Sequence, residues 1–109
     1  MGIRPHKPWQ RSDPATLEGL PGHMGVYEIA DAAGLVLRIG YAGGRSLFGL
    51  RGEIGAAVAE VRAAAGFRYE VTTAYLSRYQ ELLMLHQADH GRLPAHNPAE
   101  PGLGRLSPG

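Results

Sequence analysis

Cysteine is missing from all 109 residues, so the chain can build neither a disulfide framework nor a thiolate metal site. Long apolar runs are missing too. No stretch approaches the roughly 20 apolar residues that a membrane-spanning helix needs. The amino terminus, Met1-Gly2-Ile3-Arg4-Pro5-His6-Lys7-Pro8-Trp9, lacks the apolar core of a secretory signal. No membrane partner is expected, and a cytoplasmic location is. Lysine is almost absent, one residue against ten arginines, and the formal net charge is only +1. That surplus is small for a protein that binds phosphate backbones through counterion release. There is no internal repeat.

What is present suits one small folded domain. A chain of 109 residues can bury one modest core, but it cannot hold a catalytic unit and a separate recognition unit. Any specificity module is therefore expected on a partner chain or a second copy, as in a homodimer. The charge is also uneven. Between Val36 and Arg68 stand five arginines, at 38, 45, 51, 62 and 68, against Glu53 and Glu60, so this segment carries +3. Guanidinium groups grip phosphate through two parallel hydrogen bonds, although a GC-rich genome alone would also favour arginine over lysine.

Residues 1–23 read as an N-terminal arm with a short helix. Pro5 and Pro8 keep its first part irregular, and Trp9 is expected to pack it down. Asp13-Pro14 then supplies a cap and a first-turn proline for Ala15–Leu20, before Pro21-Gly22 stops the helix. Val26–Ala30 and Leu35–Tyr41 are aliphatic and aromatic segments joined by Asp31-Ala32-Ala33-Gly34, which reads as a β-hairpin. A glycine run, Gly40-Tyr41-Ala42-Gly43-Gly44, leads into a helix starting near Arg45. Its apolar positions Leu47, Leu50, Ile54, Val58 and Val61 form one stripe, Arg51 borders it, and Gly66 is expected to end it. Phe67–Thr72 alternates like a strand with one covered and one solvated face. A second helix is expected from about Ala74 to His90, stopped by Gly91 and Pro94. Residues 98–109 form a proline- and glycine-rich tail expected to be flexible. The expected fold is therefore α/β, a small sandwich with a three-stranded, mainly antiparallel sheet in the order β-β-α-β-α, spanning residues 24–97.

At several of these positions the sequence resembles the GIY-YIG nuclease family. Gly25-Val26-Tyr27 stands at the first tripeptide and Arg38-Ile39-Gly40 at the second. Leu50-Arg51 matches the helix arginine. Glu81, within Tyr79-Gln80-Glu81-Leu82-Leu83, matches the later glutamate, and Asn97, after Pro94-Ala95-His96, matches the closing asparagine. The resemblance covers Gly25 to Asn97, and its strength lies in the order of five landmarks rather than in any one tripeptide.

The resemblance implies phosphodiester hydrolysis. In that chemistry Tyr27 would activate water and Arg51 would hold the scissile phosphate. Glu81 would bind one hard divalent ion, Mg²⁺ or Mn²⁺, and Asn97 would brace the site. Each residue type also has an ordinary use: Tyr27 as a cross-strand aromatic, Arg51 as a solvated helix border, Glu81 as an ion-pair partner of Arg78, Asn97 as a turn residue. Two departures stand out. Arg38 occupies the second tyrosine's position, and a guanidinium cannot relay a proton at neutral pH. Tyr41, three residues on, is the candidate replacement, with Arg38 supplying the positive charge usual nearby. Gly55 stands where some members carry a histidine.

A separate constellation is His86-Gln87-Ala88-Asp89-His90. Histidines at i and i+4 share a helix face and can chelate zinc with His96 or His23 as a third ligand, although Gln87 replaces the base that a zinc protease needs. The glycine run matches no nucleotide-cofactor motif, but its amides can approach a phosphate. The expected function is thus a metal-dependent endonuclease-like domain acting on nucleic acid, DNA before RNA. The alternative is a catalytically degenerate domain of the same fold that binds nucleic acid or serves as an adaptor.

Overall fold

Val26, Tyr27 and Ile29 alternate between the two sides of one extended segment, and both sides are covered. The computed structural model describes residues 7–97, and this segment, β2 (Gly25–Ala30), is buried along its whole length. It pairs antiparallel with β3 (Val36–Ala42) on one edge and with β4 (Gly66–Val71) on the other. A two-residue strand, β1 (Gln10–Arg11), extends β4, which gives the order β1-β4-β2-β3 with every pairing antiparallel. The sheet therefore has four strands where three were expected. The extra one lies in the segment read as an irregular arm. It forms because the Arg68 guanidinium sits 4.0 Å from the Trp9 ring centre, which brings Gln10 beside Phe67. Two residues carry no periodicity from which to foresee such a pairing.

Helices cover both faces. α2 (Gly49–Glu60) packs Leu50, Ile54 and Ala57 against Tyr27, Ile29 and Phe67. α3 (Tyr75–His90) packs Leu82 and Leu83 against Val26 and Ile39. Each such fully buried side chain contributes about 1.5–3 kcal/mol relative to exposure. A short α1 (Pro14–Glu18) precedes the sheet, capped as expected by Asp13, whose carboxylate accepts the Thr16 N–H at 2.8 Å. In the hairpin turn the same device recurs, with Asp31 accepting from Ala33 and Leu35 at 2.9 Å, and Gly34 adopts a φ of 87°.

α2 is shorter than expected at both ends. Arg45–Phe48 form turns, because the first helical donors are met by a distant loop: Leu50 N–H donates to the His23 carbonyl at 2.9 Å and Arg51 N–H to that of Pro21 at 3.1 Å. Leu47, assigned to the buried stripe, is instead 84% exposed. At the other end Val61 is already extended, and Gly66 opens β4 instead of ending the helix. The polar residues of β4 are not simply solvated. Arg68 pairs with Glu28 at 2.6 Å and Glu70 with Arg78 at 2.9 Å, on the α3 side of the sheet. Among the described residues no helix is long and apolar enough to cross a membrane. Residues 1–6 of the expected arm and the whole expected tail, 98–109, lie outside the described residues.

Candidate functional site

β3 is an edge strand, and most of the anticipated site residues meet beside it. The β2–β3 register sets Tyr27 opposite Gly40. The tyrosine ring lies across that glycine so closely that a methyl group on Gly40 would sit 2.2 Å from the phenolic oxygen. The glycine of the second tripeptide thus makes room for the tyrosine of the first. Burial pushes the Tyr27 pKa up to about 12, with the nearby Arg38 charge opposing the shift. At neutral pH Tyr27 is therefore a phenol that donates a hydrogen bond, not a phenolate that accepts a proton.

Arg38 donates to the Glu60 carboxylate at 2.7 Å, a bond that holds its guanidinium above the usual pKa. Asn97 completes the edge. Its Oδ1 accepts the Ile39 N–H at 2.7 Å and its Nδ2 donates to the Ile39 carbonyl at 2.8 Å, so one side chain does the work of a neighbouring strand. The His96 N–H adds a bond to the Leu37 carbonyl at 2.9 Å.

These residues border an open cavity of about 690 Å³. Tyr27, Arg38, Tyr41 and Asn97 all line it, as do Arg45 and Glu53. Two tyrosines one turn apart on α3 supply its far wall. The Tyr41 ring stacks on Tyr75 with centroids 5.6 Å apart and meets Tyr79 edge-on at 4.9 Å. Tyr75 and Tyr79, Arg45 and Glu53 were not anticipated as site residues. The i, i+4 spacing of the two tyrosines at the start of a helix was the available signal. The glycine loop behaves differently from expectation. Gly43 N–H already donates to Ser46 Oγ at 2.9 Å and Gly44 N–H to the Tyr75 hydroxyl at 3.3 Å. Those two amides shape the loop and are not turned to a phosphate.

Arg51 and Glu81 are not among the cavity's lining residues. Arg51 is exposed at the start of α2, its guanidinium 6.0 Å from the Phe48 ring centre. Glu81 is paired with Arg78 one turn earlier, and Arg78 also grips Glu70 through two bonds of 2.9 and 3.0 Å. Of the two uses the sequence allowed for Glu81, the ion pair is the one present. A divalent ion at this carboxylate would have to displace a guanidinium, and among the described residues no three His, Asp or Glu side chains form a metal-holding group. The residues present thus fit such an ion poorly. The same finding leaves His86 and His90 without a third ligand. Their rings lie 4.3 Å apart, and His86 Nδ1 donates to the Arg92 carbonyl at 3.0 Å. Burial lowers the His86 pKa, and its Nε2 is buried with no hydrogen-bond partner among the described residues.

Residues 1–89 match the family described as a domain of unknown function, DUF7508. The matched span includes every cavity residue named above except Asn97. No curated protein and no solved structure matches the chain.

Proposed function

The chain belongs to the DUF7508 family, a description that assigns no chemistry, and from its site we propose a nucleic-acid-binding domain of the GIY-YIG type. The β3-edge cavity takes the phosphodiester backbone. One observation supports this most: Tyr27, Arg38, Tyr41 and Asn97, up to 70 positions apart in the chain, line a single cavity with a second arginine, Arg45, and two further tyrosine rings, Tyr75 and Tyr79. Rings that accept stacked bases beside cations that accept phosphates are the usual equipment of single-strand binders, at about 1–3 kcal/mol per stacked base. The cavity volume falls in the range of roughly 300–1,000 Å³ that holds a group the size of a nucleotide. Arg45 balances the charge of Glu53 in the lining, Arg38 can exchange its exposed Glu60 partner for a phosphate, and the protonated Tyr27 hydroxyl is a donor for a phosphoryl oxygen.

Hydrolysis with Mg²⁺ or Mn²⁺ is the second reading. It is favoured by the same proximity of Tyr27 to Arg38, whose charge eases loss of the phenolic proton. It also makes two demands that binding does not: Tyr27 must ionise near neutrality, and Glu81 must leave Arg78. The ion, when bound, would supply charge stabilisation at the phosphoryl oxygens.

Both readings are tested with single- and double-stranded DNA and RNA at low salt, following fluorescence anisotropy and product formation together. Salt-sensitive binding without cleavage, weakened by Arg38→Ala, is the expected result. Cleavage that needs Mg²⁺ or Mn²⁺ and disappears in Glu81→Ala and Tyr27→Phe would make the second reading the correct one. Absence of binding in every condition would remove both.

A further inference from the structure

The side chains of Leu47 and Phe48 stand outside the core clusters, although the Phe48 backbone caps the start of α2. They precede the buried stripe of α2, and they are 84% and 56% exposed. Arginines stand two residues before the pair and three residues after it. Arg45 and Arg51 are both exposed, and among the described residues neither forms an ion pair. The Arg51 guanidinium stands 6.0 Å from the Phe48 ring centre.

The position of this pair matters as much as its exposure. Arg45 and Ser46 line the β3-edge cavity. Consecutive Cα atoms are about 3.8 Å apart, which keeps the Phe48 backbone within about 8 Å of Ser46 and thus beside the cavity mouth. Leu76, 53% exposed, lines the same cavity from α3. Leu76 and the Leu47-Phe48 turn thus add exposed apolar surface near a cavity whose lining also carries Arg38, Arg45 and Glu53, and Arg51 stands over the Phe48 ring. An exposed apolar pair flanked in the chain by two arginines that form no ion pair among the described residues matches a ligand that is flat and apolar in its middle and anionic along its border. An unstacked nucleobase between two phosphates has that pattern. A base inside a duplex does not, because its faces are already covered by its neighbours.

We propose that the Leu47-Phe48 turn is a base-stacking platform that makes the domain prefer single-stranded or frayed nucleic acid over intact duplex. One unpaired base lies on Phe48 and Leu47, Arg45 and Arg51 take the phosphates on either side, and the strand continues into the β3-edge cavity. The inference rests on the reading of that cavity as a nucleic-acid site and adds the feature of the substrate that it selects.

The test compares the full chain with Phe48→Ala, Phe48→Trp and Leu47→Ser on two probes: an oligonucleotide carrying one 2-aminopurine, and the blunt duplex of the same sequence. Leu47 is so exposed that its substitution leaves the core untouched, which keeps the test sound if Phe48→Ala folds badly. Wild type is expected to bind the single strand more tightly and to quench 2-aminopurine. Phe48→Ala is expected to lose about tenfold in single-strand affinity with little change on the duplex, and Phe48→Trp to restore both affinity and quenching. If wild type binds in a salt-sensitive way and neither Phe48→Ala nor Leu47→Ser changes the single-strand preference, the platform is refuted while the cavity reading stands. If wild type binds neither probe, both fail. A dimer seen by light scattering and abolished by Leu47→Ser would show that this face meets a second copy, which also overturns the proposal.

Discussion

Gly40→Ala should be among the most damaging small substitutions in the chain, and its effect can be worked out from one contact. The new methyl carbon would lie 2.2, 2.3 and 2.6 Å from three atoms of the Tyr27 side chain. Carbon contacts are comfortable at about 3.5–4.0 Å, so the ring must withdraw by more than an ångström. The ring body is 4% exposed and held in the core with Leu50 and Ile54, so although its hydroxyl end borders the cavity, the ring withdraws only by disturbing those neighbours. Overpacking of this kind costs about 1–3 kcal/mol, and a rigid ring puts the expected loss at the upper end. At about 4–8 °C per kcal/mol for a domain of this size, the melting temperature should fall by roughly 10–20 °C. Gly55→Ala is the matched control. A methyl group there meets nothing within 4 Å inside α2, so relief of glycine's backbone entropy should stabilise by about 0.5–1 kcal/mol. Thermal melts of both variants decide the matter by sign. Tyr27→Leu should also cost less on the Gly40→Ala background than on wild type, because the shorter, flexible side chain relieves the clash. A Gly40→Ala protein as stable as wild type would refute the close approach of Tyr27 to the edge strand.

Other consequences can be measured separately. Asn97→Ala removes two hydrogen bonds to Ile39 and should cost about 1–2 kcal/mol, seen as faster hydrogen exchange at the Ile39 amide; Asn97→Asp, which keeps the acceptor for that amide but loses the donor to the carbonyl, should restore only part of the protection. Arg78→Ala leaves Glu70 and Glu81 without their shared cation. Glu70 has a lowered folded pKa because Arg78 holds it, so its contribution is present above about pH 4.3 and lost as pH falls through that lower folded value. Arg78→Ala should therefore flatten the acid limb of a stability curve. Mg²⁺ should raise the melting temperature of this variant more than that of wild type, because Glu81 is freed. His86 has a folded pKa below its ordinary 6.5, chiefly through burial. The unfolded chain then binds the proton first, so stability is full above about pH 6.5 and declines as pH drops below it; melts from neutral to mildly acidic pH should show this decline, and His86→Leu should reduce it.

Local chemistry explains which parts of the fold were legible. Asp13-Pro14 and the turn from Asp31 to Gly34 carry their own hydrogen-bonding instructions, and α3 ends where Gly91, at φ 77°, closes it on Gln87. α2 lacks such a signal. Its first donors are satisfied by the carbonyls of Pro21 and His23, more than 25 residues upstream, and a periodic pattern starting at Leu47 does not register that dependence. β1 depends on contacts distant in the chain, Arg68 with Trp9 and Ser12 with Ala65. The meeting of Tyr27 and Gly40 was legible because two tripeptides on paired strands fall into register. Tyr41 and Asn97, picked out by their places around those tripeptides, line the same cavity. For Glu81 the sequence offered both a metal ion and Arg78, and the ion pair present depends on how α3 sits over β4. Tyr75 and Tyr79 carried only a spacing, and that spacing serves a core as well as a groove.

The claim that the β3-edge cavity receives a phosphodiester backbone is tested most directly by the salt dependence of binding. Affinity for a single-stranded oligonucleotide is measured across a range of monovalent salt for wild type, Arg38→Ala and Arg45→Ala. The expected result is a linear fall of log K with log salt, at about 0.7 per phosphate neutralised, with each substitution reducing the slope by about that amount. Arg38→Ala should do so without unfolding the domain, since its Glu60 partner is largely solvent-exposed. Affinity independent of salt, or a slope that neither substitution changes, would contradict the account.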